Sequence, residues 1–323
     1  MTAREIFHYT SMDGFKRIYE SQVLWVKYFR DLNDSSEIFL SQEFVANRVI
    51  PICKKVMKQH RGNAALKKAI KEFKGRDNLA KHEADIIVSA MFEVAFGHHE
   101  RKELFSPHIF SFCDHAADAY PNRHGLLSMW RGYGKDGGVS LVFDRDKLNG
   151  CLELESEEFA FNTLMLTNVV YDDDLKAIDS ELRPALEKIE SYAYKFFTDA
   201  AGVDHVAELL PDFLRFVARL KHRSFHEEHE VRIIAIPWDD DEAKSARPDE
   251  LKNRKIKKRH ARKGAHFIDL FDGDKTPRLP IERIIVGPHP DQKLRQDELA
   301  RLLGRSSKIE ITCSETPYIP FGV

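Results

Sequence analysis

The sequence predicts an α+β fold, because short apolar strand segments recur along the chain and two long, charge-rich stretches with helical periodicity lie between them. The clearest strands are residues 139–143 (VSLVF), 231–236 (VRIIAI) and 283–287 (RIIVG). The helical stretches cover about 38–104 and 173–224 and read as insertions into a single domain spanning 1–323. A chain of 323 residues with 42% hydrophobic and 32% charged content buries a sizeable core without disulfides.

Taken in order, Ile6-Phe7-His8-Tyr9 is a strand, and Thr10 or Ser11 can cap the helix that runs through Phe15, Ile18 and Tyr19. Residues 23–26 (VLWV) form a second strand. The polar turn 30–37 (RDLNDSSE) leads into helix, with Asn33 and Asp34 suited to bonding their own backbone. From Ile38 to about Glu100 the pattern is helical, with Gly62 and Gly75 as breaks. Strand signals return at 108–113 (HIFSFC), followed by a helix over 126–134 that Gly137 and Gly138 terminate before the 139–143 strand. Residues 169–171 are a further short strand, and 175–222 reads as two amphipathic helices separated near Gly202. The strand at 231–236 is entered directly from the charged stretch 226–230 (HEEHE). An acidic loop at 239–242, a basic run at 252–263, strands at 267–270 and 283–287, a helix near 292–303 and a strand at 308–312 complete the chain. There is no internal repeat. Gly132-x-Gly134 lacks the third glycine and the preceding strand of a dinucleotide-binding loop.

Several classes are excluded by composition. The N-terminus has no charged-then-apolar signal layout, and no apolar run approaches the roughly 18 residues of a membrane span, so a cytoplasmic protein without membrane association is expected. Cys53, Cys113, Cys151 and Cys313 are scattered without a C-x-x-C pair, which suits buried free thiols in a reducing compartment. A net charge of −2 makes the whole chain a poor electrostatic partner for nucleic acid. The run 252–263 is the exception: eight of its twelve residues are Lys or Arg. It either binds phosphate or partly neutralises Asp239 to Glu242.

Four segments place polar groups at element ends: His8-Tyr9-Thr10, Asn33-Asp34-x-x-Glu37, Met129-Trp130-x-x-Tyr133 and Glu228-x-Glu230-x-Arg232. Each has an ordinary structural account. A strand-end His is commonly a hydrogen-bonded core residue, Trp130 and Tyr133 at i, i+3 can simply pack, and Asn33-Asp34 can be a turn. Strand alternation puts Glu228, Glu230 and Arg232 on one face and Val231, Ile233 and Ala235 on the other, which fits either a solvated strand edge of cross-bonded charges or a carboxylate and a guanidinium flanking a pocket. His226-x-x-His229 is the best metal candidate. In a strand its two imidazoles face opposite ways, so no metal is expected.

The order and content of these segments resemble the bacterial family termed domain of unknown function 2971. Its pattern of H-Y-T, L-x-x-I, N-D-x-x-E, M-W-x-x-Y, a glycine before an apolar strand, and E-x-E-x-R is met by His8-Tyr9-Thr10, Phe15 and Ile18, Asn33-Asp34-Ser35-Ser36-Glu37, Met129-Trp130-Arg131-Gly132-Tyr133, Gly138, and Glu228-His229-Glu230-Val231-Arg232. Ser35 stands where the family commonly has proline. More distantly, the opening strand-His-aromatic-Thr and the late strand beginning with Glu resemble ADP-ribosyltransferases of the DNA-modifying toxin and diphtheria-toxin-like groups. This resemblance implies a mixed or antiparallel β core with large helical insertions, and NAD as the substrate cofactor. It implies that His8, Tyr9, Thr10, Asn33, Asp34, Trp130, Arg131 and Arg232 hold NAD, and that Glu230, Tyr133 and His8 carry catalysis. Glu230 would stabilise the oxocarbenium-like ribose formed as nicotinamide leaves. The implied role is a toxin or phage-defence effector modifying nucleic acid or protein, with an antitoxin or other defence protein as partner. The same site without an acceptor would be an NAD glycohydrolase. Without turnover it would be a ligand or nucleic-acid binding module.

Overall fold

The computed structural model describes residues 4–31, 36–96, 107–116, 119–134, 136–198, 206–238, 251–258 and 265–318. The chain divides into two compact units. The first comprises Met1–Lys27, His108–Val169 and Ser224–Val323, and the second Tyr28–Pro107 and Val170–Arg223.

In chain order, β1 (Glu5–Thr10), α1 (Met12–Ser21) and β2 (Leu24–Tyr28) precede α2 (Ser36–Gln59), α3 (Ala64–Glu72) and α4 (Arg76–Phe96). Next come β3 (His108–Cys113), α5 (Tyr120–His124), α6 (Leu127–Tyr133), β4 (Val139–Asp144), α7 (Arg145–Glu158), β5 (Phe159–Asn168) and β6 (Val170–Tyr171). After α8 (Leu175–Thr198), α9 (Val206–Val217) and β7 (Leu220–Lys221), the chain continues through β8 (Glu230–Pro237), β9 (Lys252–Asn253), β10 (Lys257–Lys258) and β11 (His266–Leu270). It closes with β12 (Ile281–Val286), α10 (Gln292–Leu303) and β13 (Glu310–Cys313).

Local chemistry sets the boundaries. Ser11, rather than Thr10, caps α1 by accepting from the Gly14 amide at 3.1 Å. The Asp144 carboxylate caps α7 through the amides of Asp146 and Lys147, both at 3.0 Å. Helix α7 and strand β5 occupy 145–168, a stretch that the sequence pattern leaves unassigned. Gly75, at φ +138°, breaks the helices where expected. The expected break near Gly202 and the acidic loop 239–242 lie outside the described residues.

The first unit is built on a mixed sheet of eleven strands, in the order β10-β11-β2-β3-β1-β4-β12-β13. Strand β8 pairs with β3 and β5, and β5 also pairs with β9, so β3 bonds β1, β2 and β8. The α+β expectation is met. One face of the sheet carries a core that includes Ile6, Phe110, Phe112, Leu141, Phe143, Val231 and Ile233. The other carries a smaller cluster of Phe7, Tyr9, Cys113, Met129, Trp130, Val142 and Ile285. Strand β8 begins at Glu230, and Arg223–Glu228 is a 3₁₀ turn. Glu228 therefore does not share the strand face of Glu230 and Arg232, contrary to the alternation expected from sequence.

Most described residues of the second unit are helical, and β6 and β7 form a parallel pair within it. Helix α2 packs on α4 and α8, and α9 packs on both of these. The seam is apolar: Val45, Val49, Cys53 and Val56 of α2 are buried, as are Leu79, Ala84 and Val88 of α4 and Ile178, Leu182 and Ile189 of α8. Among the described residues no helix is long and apolar enough to cross a membrane. Cys53, Cys113 and Cys151 are buried thiols, whereas Cys313 is only part-buried.

Glycine is required where backbones touch. The Gly287 amide donates to the Gly138 carbonyl at 3.1 Å, and a Cβ on Gly287 would fall 1.6 Å from the Gly137 carbonyl oxygen. Gly287→Ala is expected to lower stability by about 3 kcal/mol in urea denaturation. Gly150→Ala, inside α7 with open space around it, is expected to raise it by roughly 0.5–1 kcal/mol.

Candidate functional site

Side chains alternate along β1, so the residues of His8-Tyr9-Thr10 cannot all line one pocket. His8 and Thr10 stand opposite Leu141 and Val139 of β4, whereas Phe7 and Tyr9 stand opposite Val142 and Ser140. The His8 ring stacks on Phe110 at 4.2 Å and meets Phe112 edge-on at 6.0 Å. Its Nδ1–H donates to the Ser111 carbonyl at 2.9 Å. Burial pushes the imidazole pKa down to about 4, against the opposing pull of the Ser111 bond and with a smaller contribution from Lys27. A neutral, part-buried ring bonded to the backbone in this way has an ordinary structural role. Thr10 packs its hydroxyl against Gly14, where a Cβ would lie only 2.2 Å away.

Tyr9 looks to the other face. Its hydroxyl accepts the Leu126 amide at 2.9 Å and lies 2.9 Å from His115 Nε2. Burial raises the phenol pKa, and burial pushes His115 down to about 4, with Asp114 opposing and His229 adding to the depression. Both groups are neutral near pH 7, which suits donation from the Tyr9 hydroxyl to the imidazole nitrogen. The Phe7 ring lies 4.7 Å from the same imidazole.

Trp130 meets Tyr9 edge-on at 4.8 Å, and its Nε1–H donates to the His124 carbonyl at 3.0 Å. A Cβ on Gly125, at φ +77°, would lie 2.4 Å from the indole, and Gly134 and Gly287 also press on it. The ring of Trp130, which the resemblance implies holds NAD, is thus a wedge buried between neighbouring backbones. Tyr133, three residues on, is 43% exposed, and Arg131 is exposed beside it.

Glu230 and Arg232 form the most constrained polar pair on the Tyr9 face. Arg232 Nε donates to Glu230 Oε1 at 2.8 Å and Nη2 to Oε2 at 3.0 Å, a two-pronged pairing. The residues are 4% and 2% exposed. Their backbone explains the burial. Strand β8 runs between β3 and β5, with Glu230 opposite Cys113, and Arg232 opposite Ser111 and Thr167. His229, at φ 42°, turns the chain into the strand, and its carbonyl accepts the Asp114 amide at 3.0 Å.

Cross-strand neighbours share a face, so the row Phe7, Cys113 and Glu230 places the pair on the side of Tyr9. The structure therefore places Tyr9, Glu230 and Arg232 on one face of the sheet, with Trp130 packed on Tyr9 there. It separates them from His8 and Thr10, which lie across the sheet and cannot act with Glu230 on one substrate. Asn33 and Asp34 lie outside the described residues. His115 belongs to the site although it carries no motif; its signal was its place two residues beyond Cys113, on the same strand parity. His226 and His229 come within 5.4 Å, because this segment is a turn rather than the strand read from sequence. Among the described residues no group of three or more His, Cys, Asp or Glu could hold a metal ion.

The basic run is partly consumed inside the first unit. Arg254 bonds Glu155 and Asp272 and lies over the Phe159 ring at 3.3 Å, and Lys252 reaches Glu158 at 2.6 Å. Lys257 pairs with Asp269. These three cations have carboxylate partners close by, and residues 259–263 lie outside the described part of the chain.

The family model described as protein of unknown function (DUF2971) matches residues 129–233, from Met129 on α6 to Ile233 on β8, and so spans the M-W-x-x-Y and E-x-E-x-R segments. No curated protein and no solved structure matches the chain.

Removing one partner of a buried ion pair strands the other charge. Arg232→Met is expected to cost about 3–5 kcal/mol, and Glu230→Met with Arg232→Met to recover most of it, as read by denaturant unfolding. His8 and His115 titrate near 4 in the fold against an ordinary 6.5. The unfolded chain binds more protons between these values. Their contribution is complete above pH 6.5 and is lost as pH falls toward 4, by at most about 3 kcal/mol per ring. His8→Gln should remove about half of that slope in melts taken across the window.

Proposed function

We propose that the first unit is an NAD-consuming enzyme, an ADP-ribosyltransferase or NAD glycohydrolase, with its acting carboxylate at Glu230 on the Tyr9 face. The observation that carries this reading is the buried Glu230–Arg232 pair at the first residues of β8. A buried ion pair is a poor source of stability compared with apolar residues of similar volume, so a role in chemistry or specificity accounts for its presence better than folding does. In the proposed reaction the bond from ribose to the nicotinamide nitrogen breaks, its electron pair leaves with nicotinamide, and Glu230 stabilises the positive charge left on the ribose. Water or an acceptor hydroxyl or amine then adds and gives up a proton. Carboxylates have acceptor positions beyond those used by one guanidinium, so pairing with Arg232 is compatible with contact to a ribose hydroxyl.

In this reading Tyr133 and Arg131, exposed on α6, reach the substrate, while Tyr9 and Trp130 support the site from beneath. His8 and Thr10 have no part in it. The toxin or phage-defence role implied by the sequence resemblance, together with its nucleic-acid or protein acceptor and its antitoxin, depends on this activity. One observation favours a second reading, a non-catalytic ligand-binding module: both carboxylate oxygens of Glu230 already accept from Arg232, as they would in a pair that only sets strand geometry.

Nicotinamide release from NAD, followed by chromatography with purified protein, separates the two. The wild type is expected to release nicotinamide, and Glu230→Gln to slow release by about 10²–10³-fold with NAD binding largely kept. Release at the wild-type rate by Glu230→Gln would remove Glu230 from the chemistry. NAD binding without release in either protein would favour the binding module.

A further inference from the structure

Both oxygens of Glu230 accept from Arg232, so the proton given up by the incoming nucleophile needs another acceptor. A second carboxylate stands on the same face. Cross-strand registers give one continuous row, Glu230, Cys113, Phe7, Val142 and Arg283, on β8, β3, β1, β4 and β12. Glu5 lies two residues before Phe7 on β1 and shares this face. Its contacts agree: the Arg283 guanidinium lies over the Phe7 ring at 5.9 Å, and its Nη2 donates to Glu5 Oε2 at 3.1 Å. Asn122 Nδ2, from α5, donates to the same oxygen at 3.0 Å, and the Asn122 carbonyl accepts from Arg283 Nη1 at 3.2 Å. One oxygen of Glu5 is thus fixed. The other, Oε1, has no hydrogen-bond partner among the described residues, on a side chain that is 30% exposed. Glu228, the acidic residue nearer in sequence to Glu230, lies off this face in the 3₁₀ turn.

We infer that Glu5 is a second catalytic carboxylate of this site, the base that takes the proton from the incoming water or acceptor. The inference rests on the NAD-consuming reading. As the oxygen or nitrogen of the nucleophile bonds to the ribose carbon that nicotinamide has left, its O–H or N–H bond breaks. The proton passes to Glu5 Oε1 and from there to solvent. Arg283 and Asn122 are positioning residues that hold Oε2. Two strand spacings and two residues of rise put the Glu5 and Glu230 Cα atoms about 12 Å apart. Carboxylates that work on opposite sides of a sugar with water between them stand roughly 6.5–9.5 Å apart, a separation that two glutamate side chains rising from one face can reach across that span.

The test is nicotinamide release from NAD by the full chain, with and without sodium azide. Glu5→Gln should slow release about 10²-fold while leaving KM for NAD within about twofold of the wild type. Azide attacks as an anion and has no proton to give up. It should therefore raise release by Glu5→Gln about tenfold or more and yield ADP-ribosyl azide by mass spectrometry, whereas sodium chloride should do neither. Wild-type release by Glu5→Gln, or a loss that azide leaves unrelieved, overturns the inference while the NAD reading stands. No release by the wild type overturns both. Should Glu5→Gln fail to fold, Glu5→Asp decides, because it withdraws the carboxylate by one methylene: slower release that azide accelerates supports the base, and an unchanged rate overturns it.

Discussion

Strand β3 is the element on which the rest of the first unit depends. Its residues bond β1, β2 and β8, and its last residue, Cys113, stands opposite both Phe7 and Glu230. That single register decides which side chains meet. Everything in step with Cys113 on these strands faces the Tyr9 side, and everything out of step faces the larger core with Phe110 and Phe112. Because β8 is buried along its whole length, a carboxylate can stand at its first residue only with a partner that travels with it. Arg232, two residues along the same face, is that partner.

Much of this was legible in the sequence, and the gaps have physical causes. β1, β3, β4 and β12 were readable because their apolar runs are bounded by Gly, Asp or Ser, β8 because its run lies between Glu230 and Pro237, and α1 because Ser11 precedes an amphipathic turn. α7 was hidden by its charge: it buries Glu155 and Glu158 beside Leu148 and Leu152, and a helix that turns carboxylates inward has no clean apolar stripe. β5 was hidden because Asn162, Thr163 and Thr167 interrupt its apolar residues, and most of the strand is only part-buried. The division of the site between two faces was available from period-two alternation alone. His8 and Tyr9 are adjacent in a strand and therefore opposed, whatever motif they share.

The charged segments show how far apart in sequence compensating groups can lie. Lys252 and Arg254 find Glu158 and Glu155 on α7, and Asp272 just beyond β11, so part of what reads as a basic run is the counter-charge of a helix nearly a hundred residues earlier. Exposed pairs of this kind contribute little, but Arg254 is buried against an aromatic ring and a fully buried carboxylate, where its loss would strand Glu155.

The discontinuity of the two units has a bearing on how the protein is made. The second unit is complete in sequence at Arg223, while the first still lacks β8, β11 and β12, the partners of β3, β2 and β4. On the ribosome, β2 to β5 must therefore wait with unpaired edges until the last third of the chain emerges, a delay that non-local pairing makes slow to end. A message truncated shortly after codon 223 would yield every residue of the helical unit and none of the Glu230–Arg232 pair, so premature termination would produce a sheet fragment with open strands in place of a weakened protein.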